Sequence, residues 1–121
     1  MIGVGVDVVE IERVRSVLER RPRLAARVFS ASERELAAER ADPVPSLAAR
    51  FAAKEAAMKA LGVGLGGVDF ADLEIVSAPG GAPRLRVSGR AAARAGLLGV
   101  SSWHVSLSHG RQVAAAVVVA D

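Results

Sequence analysis

The chain has no cysteine among its 121 residues, which excludes a disulfide frame, a thiolate metal site of the zinc-finger kind and a thiol nucleophile. Aromatic residues make up only 3%: Phe29, Phe51, Phe70 and Trp103. Few platforms remain for stacking nucleobases, and interior packing has to lean on Val, Leu and Ile. Uncharged apolar runs are short as well; none approaches the roughly 18 residues that mark a membrane span. The opening Met-Ile-Gly-Val-Gly-Val-Asp has no basic leader and meets a charge after six residues, so a soluble, cytoplasmic protein with no membrane partner is expected.

What is present is hydrophobic content of 51%, enough for the core of one domain over residues 1–121. Much of it is alanine, which buries little area per residue, so subunit contacts are an expected supplement. The formal charge is +3 and the pI is about 10.5. Arginine is dense from Arg13 to Arg40 and again from Arg84 to Arg94. An acidic partner follows: a nucleic acid, a phosphorylated cofactor or an acidic protein, which charge alone does not separate. A small basic nucleic-acid-binding module is the alternative from a non-enzyme class. Its weak points are the scarce aromatics and the lack of any recognised nucleic-acid motif.

Residues 2 to 8 alternate glycine with β-branched residues and read as a buried strand, interrupted by Asp7. Ile11, Val14 and Leu18 recur at helical spacing from Glu10 to about Arg20, Pro22 closes that helix, and a short one follows over Arg23 to Val28. Ser32 with Glu35 has the capping-box spacing, with Phe29 as a staple, and predicts a helix from about Glu33 to Arg40. Asp42-Pro43-Val44-Pro45 breaks it. A long helix over 47 to 61 is then expected, capped by Ser46 after Pro45 and closed by Gly62 in the left-handed conformation. The loop Gly62-Val63-Gly64-Leu65-Gly66-Gly67 reads as a connector with unusual dihedrals or as bare backbone able to approach phosphate. Residues 73–76 and 84–87 flank a turn at 78–83 and predict a hairpin. Residues 89–98 look helical, and 103–109 with 113–120 form a last strand pair turned at Gly110-Arg111. The class is α+β, a mainly antiparallel sheet with a long central helix.

The long helix carries the chemistry. At about 3.6 residues per turn, Phe51, Glu55, Met58, Lys59 and Gly62 share a stripe, with Arg50 and Lys54 as a second basic pair to one side. Glu55 and Lys59 form either a surface i,i+4 salt bridge or part of a ligand or metal site on a face turned inward. Asp7, on an apolar strand, needs a helix N-terminus, a base or a cation. It caps the helix beginning near Val9 or Glu10, or it shares a hard cation with Glu55, since Mg²⁺ takes one or two carboxylates with waters and phosphate oxygens. His104, Ser106 and Ser108 point to one face of their strand and His109 to the other. That alternation and the lack of a nucleophile elbow argue against a Ser-His-acid hydrolase; a structural histidine or a phosphate contact remain for His104.

Three stretches together, Gly3-Val4-Gly5-Val6-Asp7-Val8-Val9-Glu10-Ile11, Arg50-Phe51-Ala52-Ala53-Lys54-Glu55-Ala56-Ala57-Met58-Lys59-Ala60-Leu61-Gly62 and His104-Val105-Ser106-Leu107-Ser108-His109, resemble the signatures of the holo-acyl-carrier-protein synthases, the short 4′-phosphopantetheinyl transferases. The resemblance spans nearly the whole chain. It implies a Mg²⁺-dependent transferase of that family's fold, moving the phosphopantetheine arm of coenzyme A to a serine of apo-acyl carrier protein, with release of adenosine 3′,5′-bisphosphate, in support of fatty acid or polyketide biosynthesis. By position, Asp7 and Glu55 become the Mg²⁺ ligands, Glu55 or a metal-bound water the base for the serine, and Lys59 the group that stabilises phosphate charge. Arg13 falls where the family meets the acidic carrier protein. Arg50, the Gly81-Ala82-Pro83 turn, and His104, Ser106 and His109 match regions lining the coenzyme A site, the last two regions supplied by a neighbouring subunit of a homotrimer. The chain departs from the pattern at Ala82, where the turn usually carries a base and Arg84 or Arg86 are candidate substitutes, and at Gly110. Position 9 is valine, as in the short class.

Overall fold

The computed structural model describes residues 1–64, 66–77 and 80–121. In chain order its elements are β1 (Gly3–Glu10), α1 (Ile11–Arg20), α2 (Leu24–Val28), α3 (Ala31–Ala38), α4 (Val44–Leu61), a 3₁₀ turn (Phe70–Asp72), β2 (Leu73–Ser77), β3 (Pro83–Val87), α5 (Gly89–Leu98), β4 (Trp103–His109) and β5 (Val113–Ala120). All strand pairs are antiparallel, in a three-stranded sheet ordered β1-β5-β4 and a two-stranded sheet β2-β3. The expected class, strand pairs and long helix are thus present. Ala78 and Pro79 of the hairpin turn, and Leu65 of the glycine-rich loop, lie outside the described residues.

Alternation divides the large sheet into two faces. Gly3, Gly5, Asp7 and Val9 of β1 pair with Ala120, Val118, Ala116 and Ala114 of β5 and form the inner face beneath α4. The fit there is backbone on backbone. A Cβ placed on Gly5 would stand 2.8 Å from the carbonyl carbon of Ala56 and one on Gly3 2.9 Å from that of Ala60, so only glycine lets the helix come this close. Alanines 48, 52, 53, 56 and 57 are buried on α4 for the same reason: small side chains on both partners bring the helix axis down onto the strand. The outer face holds Val4, Val6, Val8 and Val117, all exposed, beside His104 and Ser106 of β4.

The structure corrects three local expectations. The capping box is Ser30 with Glu33, not Ser32 with Glu35: Ser30 Oγ accepts from Glu33 N at 3.1 Å, and Ser30 N donates to Glu33 Oε1 at 2.9 Å. Both spellings fit the motif, and burial of Glu33 decides between them. Helix α4 begins at Val44, ahead of Ser46, because Pro45 fits a helix's first turn, where its missing N–H costs nothing. Asp42 Oδ1 accepts from Val44 N at 3.1 Å, while Ser46 is buried within the helix and its Oγ accepts from Arg50 at 2.7 Å. Finally, β1 continues to Glu10 and α1 starts at Ile11 without a side-chain cap, so Asp7 caps no helix. Gly62 closes α4 as expected, with φ of 69°.

Candidate active site

One residue pair along β1 from Gly5, the inner face presents Asp7 to the middle of α4. Lys59 reaches back over the helix, and its Nζ donates to Asp7 Oδ1 at 3.1 Å and to the Val6 carbonyl at 3.0 Å. Asp7 therefore has the basic partner that its place on an apolar strand demands. The i,i+4 reading is set aside, since Lys59 pairs with the strand acid. Glu55 opens into a cavity of about 620 Å³ together with Asp7 and Arg13. Burial pushes the Glu55 carboxyl above its ordinary value, the nearby charge of Asp7 pushes the same way, and Lys59 opposes both.

Glu10 also lines the cavity, and the rest of its wall is apolar, with residues such as Val14, Leu18, Leu24, Phe29 and Phe51. The predicted stripe on α4 splits: Phe51 and Glu55 face the cavity, Met58 enters the core, and Lys59 has a half-exposed side chain. The pair of acids and the adjacent ammonium suit phosphoryl chemistry, which asks for alignment and charge neutralisation. A hard divalent cation fits this donor set. The charge of one acid already strains the ionisation of the other, and Mg²⁺ needs no more than one or two carboxylates from the protein. Among the described residues no group of three or more His, Cys, Asp or Glu side chains converges.

The remaining predicted residues fall elsewhere. Pro83 and His104 line a second cleft, with Arg84, Leu85, Trp103 and Val105. Ser106 and His109 stand exposed on opposite faces of β4, and Gly81 lies in the β2–β3 connection with φ of 89°. A single chain does not bring these residues into the cavity of Asp7 and Glu55. Arg50 and Lys54 are not a solvated basic pair: both are buried. Arg50 Nε lacks a hydrogen-bond partner among the described residues. Lys54 is fully buried against Glu33, an ion pair that sequence reasoning misses. Its helical neighbours Phe51, Ala57 and Met58 are apolar, but Arg50 one turn earlier on the same side masks that signal.

Comparison with known proteins decides the family. The model of the 4′-phosphopantetheinyl transferase superfamily matches residues 3–118. The chain belongs to this superfamily. The holo-[acyl-carrier-protein] synthase of Streptomyces griseus is 56% identical over 121 residues, covering 100% of this chain and 98% of that protein. Among solved structures, the synthase from Neisseria meningitidis superposes with a TM-score of 0.90 at 30% identity, covering 100% of this chain and 98% of the other. The Helicobacter pylori synthase in complex with coenzyme A gives a TM-score of 0.85 at 33% identity, with 98% and 99% covered. Fold and sequence thus place this transferase-superfamily member with the holo-acyl-carrier-protein synthases.

Proposed function

We infer that the chain transfers the 4′-phosphopantetheine group from coenzyme A to a serine of apo-acyl carrier protein. The observation that carries the mechanism is that Asp7 and Glu55 line one cavity with Arg13 while Lys59 bonds to Asp7. Asp7 and Glu55 would hold a Mg²⁺ ion, which when bound supplies charge neutralisation for the diphosphate. Glu55 would take the proton of the attacking serine hydroxyl. The serine oxygen bonds to the phosphorus that bears the pantetheine arm. The bond to the bridging oxygen breaks, and adenosine 3′,5′-bisphosphate leaves with the electron pair. Lys59, held by Asp7 and the Val6 carbonyl, places its ammonium against the phosphate charge that grows in this step.

The acting unit is a homotrimer. Two features support that reading. Val4, Val6 and Val8 expose 55%, 60% and 60% of their surface in one row on the sheet, an apolar face that calls for cover. The second cleft, with Pro83 and His104, lies apart from Asp7 and Glu55 within one chain, so a neighbouring copy is what would carry it to the reacting end. In that arrangement Arg50, Gly81, Pro83, His104, Ser106 and His109 bind coenzyme A, and Arg13 meets the acidic carrier protein. The setting is the cytoplasm, serving fatty acid or polyketide biosynthesis with residues 1–121 as one domain; no described helix is long and apolar enough to cross a membrane.

The test is incubation with apo-acyl carrier protein, coenzyme A and Mg²⁺, followed by intact-mass measurement of the carrier. A gain of one phosphopantetheine that disappears with chelator is expected. An unchanged mass would refute the activity, and transfer surviving metal removal would refute the role given to Asp7 and Glu55.

A further inference from the structure

Helix α4 poses a problem of orientation. Alanine occupies seven of its fourteen buried positions, and alanine surfaces on different sides of a helix are nearly interchangeable, so that half of the packing does little to fix rotation about the axis. Yet Glu55 serves the cavity only at one rotation, because each residue turns the helix by about 100°. The glycines of β1 set how closely the helix approaches, but they offer no side chain to lock its angle.

Behind the cavity wall lies a group able to do so. Lys54, 0% exposed, donates to the Leu73 carbonyl at 2.7 Å and to the Phe70 carbonyl at 3.1 Å, and forms an ion pair with Glu33 Oε1 at 2.9 Å. Glu33, 1% exposed, also accepts from Ser30 N at 2.9 Å and Ile75 N at 3.1 Å. The ammonium thus ties α4 to three other places in the fold: the start of α3, the 3₁₀ turn and the first residues of β2. Its neighbour Phe29, whose ring centre is 5.9 Å from Nζ, is itself part of the cavity wall. Buried ion pairs contribute little net stability but can specify a single arrangement, and removing one partner is costly.

We propose that Lys54, locked by Glu33, is a positioning residue that fixes the rotation of α4 and so aims the adjacent Glu55 at the metal and phosphate end of the cavity. This rests on the reading of Asp7 and Glu55 as ligands of a divalent ion. Lys54 acts only through Glu55, touching neither substrate nor ion.

The experiment measures Mn²⁺ binding by electron paramagnetic resonance on the full-length chain, alongside transfer kinetics and thermal unfolding. The double variant Glu33→Gln with Lys54→Met removes both buried charges. Its Mn²⁺ dissociation constant should rise about tenfold or more, the size typical of groups that orient metal ligands, and kcat should fall with it while KM for coenzyme A changes little. A destabilising change on α5, Ala95→Gly at a buried helical position, supplies the comparison: at equal loss of thermal stability it should keep the parental Mn²⁺ affinity. If the double variant fails to fold, Glu33→Gln alone should weaken Mn²⁺ binding in the same direction by a smaller factor. Since the chain has no cysteine, Lys54→Cys can be alkylated in denaturant with bromoethylamine and refolded. Restoring the ammonium there should restore Mn²⁺ affinity. Mn²⁺ affinity and kcat within twofold of the parent in a folded double or single variant would overturn the inference. Absence of Mn²⁺ binding by the parent chain would instead strike down the metal reading beneath it, and the inference with it.

Discussion

Replacing Gly5 with alanine tests whether the approach of α4 to β1 builds the site. The new Cβ would lie 2.8 Å from the carbonyl carbon of Ala56 and 3.0 Å from Ala60 N, both backbone atoms that no rotamer change can move. Carbon contacts become favourable only at about 3.5 Å or more, so the helix has to withdraw by roughly 1 Å. Overpacking of this kind costs about 3 kcal/mol, and the lower chain entropy of unfolded alanine offsets at most about 1 kcal/mol of it. A net loss of about 2 kcal/mol corresponds to a drop in Tm of roughly 6–10 °C. The two bonds from Lys59 to β1, at 3.0 and 3.1 Å, would stretch beyond hydrogen-bond length, and a misplacement of about 1 Å can cost about 100-fold in rate. Gly96→Ala is the counterpart. That glycine lies within α5, with open space where the methyl group would stand, and the same chemical change there should raise stability by up to about 1 kcal/mol. Calorimetry and the mass-shift rate assay read both variants. A Gly5→Ala protein that melts at or above the parental temperature and transfers at the parental rate would refute the close-approach argument.

Glu55→Gln should leave the fold intact and reduce transfer by about 100-fold or more, as loss of a general base does; near-parental kcat in the mass assay would remove Glu55 from the reaction. Arg13→Glu should raise KM for the acidic carrier protein more than KM for coenzyme A, and an unaltered KM for the carrier would detach Arg13 from that partner. Val6→Glu places a charge in the exposed valine row and should yield folded monomers by light scattering, whereas an intact oligomer would show that this face is not the subunit contact. Acid titration tests Glu55 differently. Its folded carboxyl binds protons more tightly than the ordinary glutamate value of 4.5. The metal-free protein should therefore be stabilised by this group below that value and lose the contribution as pH rises through the raised one. The pH dependence of Tm in Glu55→Gln should lack this component, and identical profiles for the two proteins would contradict the raised carboxyl.

Much of the architecture is legible in the sequence because it rests on local patterns. Glycine alternating with valine marks β1, alanine content marks α4, Gly62 marks its end, and alternation marks both hairpins. The capping box shows where such patterns fail: Ser30 with Glu33 and Ser32 with Glu35 satisfy the same local rule, and only the packing of Glu33 against Lys54 and Ile75 chooses between them. The burial of Lys54 and Arg50 escapes the sequence for a related reason. Helical spacing tells which residues share a face, but not how many faces of a helix are covered, and α4 is covered nearly all round.

The order of residues alone determined the family signature, the element sequence and the residue types available for phosphate chemistry, since motif spacing and backbone preference are properties of short stretches. Tertiary structure decided which acid meets which base. Lys59 is four residues from Glu55 and fifty-two from Asp7, yet it bonds to Asp7, because two bare glycines let a helix settle on a strand at backbone distance.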